Sequence, residues 1–409
     1  MKRSKWLRLG ALLAALMLVG AACGGDGDDG DGTTAGDGDV EKIPVSITFQ
    51  GALTGPFNYL VIPAFQGAQL RFNELNADDT FPAEITLERG DTQGSGDNAP
   101  PVVEEAVSNP DTVAIVGPAF SGESTASGDS YDEAGIPFVT PSATNTALAE
   151  EGWDFWYRAC GNDAAQGGLA GQYIAETLKP SSLFVSHDKS EYGQPLAETV
   201  RDTAEEAGLE IAGFEGVESG AEDFSAFVSA VEASGADALF FGGYDADFGK
   251  IVKQSRDAGL DITMMSGDGS LSSTFLDLAG RGADNVVLIA PTNLSGDFVS
   301  KYQGEYGGEA SSVPVYAAEG YDVASLLGEG IRSAIDGGAE DPEAIRAGIK
   351  EYLDGLQPGS EFQGVAKPYA FDETHEVVAE DVSQLFYLYE VTAGDLKPLG
   401  SAADLLGTA

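Results

Sequence analysis

The sequence predicts an α/β fold of two lobes, each built on a doubly wound parallel sheet. Three observations predict it. Short apolar runs alternate with stretches of helical spacing from about Ile43 onward, which implies parallel strands joined by right-handed crossovers. The alternation restarts after Gly161. The span is also too long for one core, since domains usually hold roughly 50–250 residues.

Each element follows from its local pattern. Residues 45–52 read as a strand. Residues 62–76 have helical spacing, with Phe65, Leu70, Phe72 and Leu75 as core contacts. Residues 83–89 form the next strand and 100–108 the next helix; strands follow at 113–116 and 137–140. In the second half, 164–178 is helical, 182–188 a strand, and 196–207 a helix closed by Gly208. Residues 211–217, 224–233, 236–241, 248–258, 262–266 and 286–290 continue the alternation.

Two strand-to-helix loops in the first half carry a chemical signal. One runs from Gly117 through Ser121 to Ser124, the other from Thr140 through Pro141, Ser142, Ala143 and Thr144 to Asn145. Each apolar strand stops in small hydroxyl residues before a helix-like stretch. Backbone N–H groups and hydroxyls at a helix start favour an anion, so the two loops read as one carboxylate site. Neither loop holds the Lys of a phosphate cradle, which argues against a nucleotide.

Three strands of the second half end in loops that each offer an aromatic or an acid. These are Tyr192 after His187-Asp-Lys, Tyr244 after Gly242-Gly, and Asp268 between Gly267 and Gly269. Each alone is readable as a turn residue or a cap on the core edge. Their joint placement at three successive strand ends points to a site. A doubly wound sheet binds outside the carboxyl ends of its strands. An acid on one lobe facing anion-binding loops on the other suits a zwitterion.

The chain starts with a basic stretch to Arg8 and an apolar run over residues 9–22. That run is short of the roughly 20 residues of a membrane span and reads as a signal peptide over residues 1–22. The small residues before Cys23 resemble the bacterial lipoprotein processing site, with Gly20 where Leu is usual. This implies cleavage before Cys23 and acylation of its thiol and amine. Residues 23–42 are rich in Gly and Asp and read as a flexible acidic tether. They lack the spaced ligands and closing Glu of a helix-loop-helix calcium site.

Composition removes several function classes. The net charge is −46, from 67 acidic and 21 basic residues. Nucleic acid is excluded as a partner, because phosphate binding needs clustered Lys and Arg. With Cys23 lipidated, Cys160 is left alone, so no internal disulfide is expected; Cys160 reads as a small buried residue. His187 and His375 are the only histidines, too few for a zinc site built on several. No Gly-x-Ser-x-Gly elbow occurs, and no nucleophile constellation supports an enzyme. No cofactor is expected.

The stretch from about Val45 to Val391 resembles the type I periplasmic binding proteins of ABC importers. Gly51-Ala-Leu-Thr-Gly-Pro56 and the helix bearing Gly67-Ala-Gln-Leu are widely shared features of that family. His187-Asp-Lys-x-x-Tyr192-Gly193, Asp223-Phe-Ser225 and Gly242-Gly-Tyr244 look like its leucine/isoleucine/valine-binding branch. The resemblance implies a three-crossover hinge, with crossings near Gly161, Pro291 and Phe371. It places residues 43–162 and 292–372 in an N-terminal lobe, and 163–291 and 373–409 in a C-terminal lobe.

It also implies roles. Ser121 and Thr144 would hold the α-carboxylate by hydroxyl and backbone N–H. Ser142 and Ala143 line the same wall, and the carbonyl of Ser142 or its neighbour would accept from the ammonium. Tyr192 and Tyr244 would close over the ligand, and Asp268 would pair with the ammonium. Tyr316 falls at an aromatic position bounding the side-chain pocket, and Tyr59 near another, within one residue. Ala119 and Phe120 precede Ser121 on the same loop. Two departures stand out: Asp268 is one methylene shorter than the usual Glu, and Phe120 replaces a cysteine of the family's early disulfide, reshaping the side-chain pocket.

The implied function is a lipid-anchored, extracytoplasmic, monomeric solute-binding protein. It would bind an amino acid, branched-chain in type, and deliver it to ABC permease subunits. The alternatives are a binder of a short amide, urea or aromatic acid on the same fold, and a ligand-sensing subunit.

Overall fold

The structure is a computed structural model, and it describes residues 42–307 and 313–407. The signal peptide, Cys23 and nearly all of the tether lie outside the described residues. Among the described residues no helix is long and apolar enough to cross a membrane.

The first sheet holds β1 (Ile43–Gly51), β2 (Ala83–Asp91), β3 (Thr112–Val116), β4 (Phe138–Thr140) and β5 (Trp156–Arg158). Its order is β2-β1-β3-β4-β5, parallel throughout. Helices α1 (Asn58–Ala77), α2 (Ala99–Ser108) and α3 (Ser121–Glu133) connect its strands. All five residues of β3 are buried, as expected for a parallel strand covered on both faces.

The second sheet begins after α4 (Asp163–Tyr173), which continues as a π-helical turn over Ile174–Leu178. Then come β6 (Ser182–His187), α5 (Gly193–Glu206), β7 (Glu210–Gly216), α6 (Ser225–Ser234) and β8 (Ala238–Gly242). They are followed by α7 (Asp245–Asp257), β9 (Thr263–Ser266), α8 (Ser273–Ala279) and β10 (Val286–Ala290). The parallel part runs β7-β6-β8-β9-β10, the strand order of the first sheet repeated.

Past β10 the chain adds α9 (Asp297–Tyr306), α10 (Ala317–Asp336), α11 (Pro342–Asp354) and the short pair β11 (Phe362–Gln363) and β12 (Pro368–Tyr369). Helix α10 packs on α1 and α11, and α11 packs on β3, so this stretch returns to the first sheet. β13 (Tyr387–Thr392) and β14 (Asp395–Ser401) then extend the second sheet antiparallel beyond β10, before α12 (Ala402–Leu406). The chain thus passes between the sheets three times.

Backbone contacts set the geometry of both halves. A Cβ on Gly67 would lie 2.0 Å from the Ala317 carbonyl oxygen, and one on Gly320 would lie 2.1 Å from that of Ala64. Only glycine lets α1 and α10 cross this closely. At the passage between sheets, buried Arg158 grips Glu376 through Nε and Nη2, with contacts from 2.5 to 3.2 Å. Its Nη1 donates to the Ala143 and Asn145 carbonyls at 2.9 and 2.8 Å. A bidentate guanidinium–carboxylate pair is a strong, directional link, and here it also braces the loop after β4.

Candidate ligand site

In each sheet the strand order reverses once, between β1 and β3 in the first and between β6 and β8 in the second. Ligands bind at such switch points, outside the carboxyl ends of the strands. A cavity lies there. Leu60, Val61, Ala119, Phe120, Ser121, Ser142, Thr144 and Tyr316 line it from the first lobe, and Tyr192, Tyr244, Asp268 and Gly269 from the second.

The first lobe supplies hydroxyls held in register. Thr140 Oγ1 donates to the Pro118 carbonyl at 2.7 Å and accepts from the Ala143 N–H at 2.9 Å. Ser142 Oγ donates to the Ala119 carbonyl at 2.8 Å. These bonds tie the loop after β4 to the loop after β3. Ser121, the first residue of α3, accepts from the Asn145 N–H at 3.2 Å. Its own proton is thereby directed elsewhere, and the cavity lies beside it. The buried Thr144 hydroxyl has no hydrogen bond of ordinary geometry. Behind this wall Glu123 accepts from the Phe120 N–H and the Thr92 hydroxyl. Burial pushes its carboxyl up to about 7, and the hydrogen bonds from Thr92, Phe120 and Ala119 only partly oppose the shift.

The second lobe supplies acids and rings. Gly193 and Gly242 meet backbone to backbone: a Cβ on either would fall within 2.4 Å of the other's carbonyl oxygen. That approach sets Tyr192 and Tyr244 side by side, with ring centroids 5.2 Å apart. Asp268 is 4% exposed. Its Oδ1 accepts from Gln166 Nε2 and the Tyr192 hydroxyl, both at 2.8 Å, and its Oδ2 from the Tyr316 hydroxyl at 2.7 Å. Burial raises its pKa, and the three donors restrain that rise.

From the sequence, Asp268 between Gly267 and Gly269 has little to bury it except a ligand. The structure corrects this, because Tyr316, Tyr192 and Gln166 bury and bond it. Tyr59 is a second correction. It is 56% exposed, and its neighbour Leu60 reaches the cavity instead. One residue of helix rotates a side chain by about 100°, enough to exchange the two faces. Ala143 is buried beneath the cavity wall rather than lining it, and its carbonyl is taken by Arg158. Where the neighbour of Ser142 offered as ammonium acceptor is Ala143, its carbonyl already accepts one proton from Arg158.

Asp163 was missed. It is the first residue of α4, 1% exposed, and neither carboxylate oxygen has a hydrogen bond of ordinary geometry. Gln166 lies three residues on and also keeps a buried, unpartnered Oε1. Burial first, then the charge of Asp268, holds the Asp163 carboxyl well above the usual range; the Thr144 hydroxyl and Arg158 oppose this. The available signal was the i, i+3 spacing of Asp163 and Gln166 on one face of a helix starting just past a lobe crossing. Asp163 and Gln166 thus present buried acceptor oxygens beside Asp268, with the Thr144 hydroxyl next to Asp163. Two buried acids this close favour a cationic group beside them. Among the described residues, no group of three or more His, Cys, Asp or Glu is placed to hold a metal ion.

Comparison with known proteins finds relatives in sequence and in fold. A family model described as periplasmic binding protein matches residues 44–395. A leucine-, isoleucine-, valine-, threonine- and alanine-binding protein of Pseudomonas aeruginosa is 28% identical over 316 residues, 75% of this chain and 82% of the relative. An amino acid binding protein of the same organism is 35% identical over 217 residues, 53% of this chain and 58% of the relative. Among solved structures, the branched-chain amino acid transporter substrate-binding protein LivJ of Streptococcus pneumoniae, in complex with isoleucine, is similar with a TM-score of 0.75. It is 25% identical, and the match covers 87% of this chain and 98% of that one.

Proposed function

Because this chain belongs to the periplasmic binding protein family, we propose that it is an extracytoplasmic binding protein of an ABC importer that takes a free α-amino acid of the branched-chain type. One observation carries the reading. A single cavity sets Ser121 and Thr144 on one lobe against Asp268, with Asp163 behind it, on the other. The hydroxyl wall at the start of α3 suits a carboxylate. The acids suit an ammonium, and Leu60, Val61, Phe120 and the tyrosine rings suit an aliphatic tail. The relatives' names point to the same class of ligand.

The ligand docks by its carboxylate on the lobe formed by residues 43–162 and 292–372. The lobe formed by 163–291 and 373–409 then closes over its amine. Closure is a population shift driven by contacts made only in the closed form. The closed protein hands its ligand to a membrane permease, and lipid on Cys23 keeps it near that permease. Family membership agrees with a binding rather than a catalytic role.

A thermal-shift panel of amino acids, short amides and aromatic acids tests the ligand class. Valine, leucine or isoleucine should raise the melting temperature and isobutyramide or benzoate should not. A panel in which only the amides or aromatic acids shift it overturns the reading.

A further inference from the structure

Asp268 is anchored from both lobes. Gln166 on α4 and Tyr192 ahead of α5 hold its Oδ1, while Tyr316, which leads into α10 on the first lobe, holds its Oδ2 at 2.7 Å. Tyr316 is 4% exposed, and its backbone lies in the left-handed region, with φ 56° and ψ 11°. A bulky residue persists there only when its surroundings over-determine it, and such positions cluster at functional sites. A glycine would enter α10 more easily, so the side chain is what this position supplies. An ionised carboxylate has about four lone-pair directions. Side chains occupy three here, two on Oδ1 and one on Oδ2, the oxygen whose direction Tyr316 fixes.

We propose that Tyr316 is a positioning residue for amine recognition: its hydroxyl fixes the direction of the Asp268 carboxylate and couples amine binding to lobe closure. The proposal rests on the amino-acid reading above. An aspartate reaches one methylene less far than a glutamate, so its carboxylate has little latitude in where it points. The Tyr316 hydroxyl stops the carboxylate from turning away. The same bond spans the cleft, so parting the lobes breaks it. Amine pairing and closure therefore strengthen each other through one carboxylate. A tyrosine acting only as a wall would lose nothing when its oxygen is removed.

The test uses calorimetry on the full chain with L-valine and with 3-methylbutanoate, which has the same tail and carboxylate without the amine. Tyr316→Phe keeps the ring and removes the bond to Asp268. It should weaken valine by roughly tenfold or more, the usual scale for a hydrogen bond to a charged group, and weaken 3-methylbutanoate much less. Asp268→Glu alone should weaken valine, because the longer acid collides with the Tyr316 hydroxyl. Combined with Tyr316→Phe it should recover to within about tenfold of the wild type, since the two sites are in contact and couple. An unchanged ratio of valine to 3-methylbutanoate affinity in Tyr316→Phe, or additive losses in the double variant, overturns the proposal. Wild-type protein that binds no amino acid instead overturns the functional reading beneath it.

Discussion

The two lobes repeat one strand order and finish it in opposite chemistry. Past the switch point of the first sheet come hydroxyls and backbone N–H groups, from Ser121, Ser142 and Thr144. Past that of the second come an acid and tyrosine rings, from Asp268, Tyr192 and Tyr244, with Asp163 buried alongside. Topology decides where the site lies, and loop residues decide what it holds. The support differs too. Side-chain-to-carbonyl bonds and the Arg158 brace hold the first wall, whereas the Gly193–Gly242 backbone contact holds the second.

Four substitutions break or sharpen that contrast. Asp268→Asn removes the charge from the acid lobe, and losing one partner of a buried pair costs about 3–5 kcal/mol. Calorimetry with valine should show affinity falling by roughly two to four orders of magnitude. Unchanged affinity would erase the division of labour.

Glu123 tests the hydroxyl lobe through stability. Its carboxyl titrates at about 7 in the fold against 4.5 in a free chain. A raised value means its contribution is complete below about pH 4.5 and lost as pH rises through about 7. Glu123→Gln should leave stability at pH 4.5 nearly unchanged and raise it at pH 8. The gain has an upper bound of about 3 kcal/mol, at about 1.4 kcal/mol per pH unit. Urea unfolding at the two pH values reads this directly, and equal effects at both would refute the buried-acid assignment.

Ser121→Ala removes one hydroxyl from the carboxylate end and should weaken valine by roughly 10- to 100-fold. A loss as large as that of Asp268→Asn would mean the two ends are not separate. The smallest effect is expected from Phe120→Val. Phe120 packs against Phe57 and Tyr244 with centroids 6.1 and 5.4 Å away, so it limits the space for the ligand's tail. The variant should improve leucine relative to valine by about tenfold, the scale of one methylene in a pocket. A fixed leucine-to-valine ratio would remove Phe120 from the specificity wall.

The sequence carried the parallel core well, because buried strands such as β3 and β10 are unbroken apolar runs. The helix predicted over residues 62–76 begins earlier, at Asn58, and runs through Pro63. A proline near a helix start is tolerated, and it hid the turn that carries Leu60 and Val61. Strand β5 went unread, since Trp156-Tyr-Arg158 is only three residues long. Helix α10 also went unread. Being buried nearly all round over its first four turns, it lacks the polar face that marks a surface helix. Of the site, the loop residues were legible because each follows an apolar strand. Asp163 was not, since an acid in the first turn of a helix is ordinarily a solvated partner for the helix dipole. Its burial comes from tertiary packing that spacing alone does not encode.

Among the described residues, four contacts hold the cleft shut from protein to protein. The rings of Phe57 and Phe120 lie 5.3 and 5.4 Å from that of Tyr244. Asn145 Nδ2 donates to the Glu191 carbonyl at 2.5 Å, and Tyr316 donates to Asp268. Such contacts tax affinity. A protein competent to admit ligand one-tenth of the time shows an apparent dissociation constant about tenfold above the intrinsic one. They also lengthen residence, because a ligand leaves only when all four have parted. Phe57 touches this latch from outside the cavity lining. Trimming it should therefore hasten both entry and escape, a change that equilibrium binding alone understates and stopped-flow kinetics resolves.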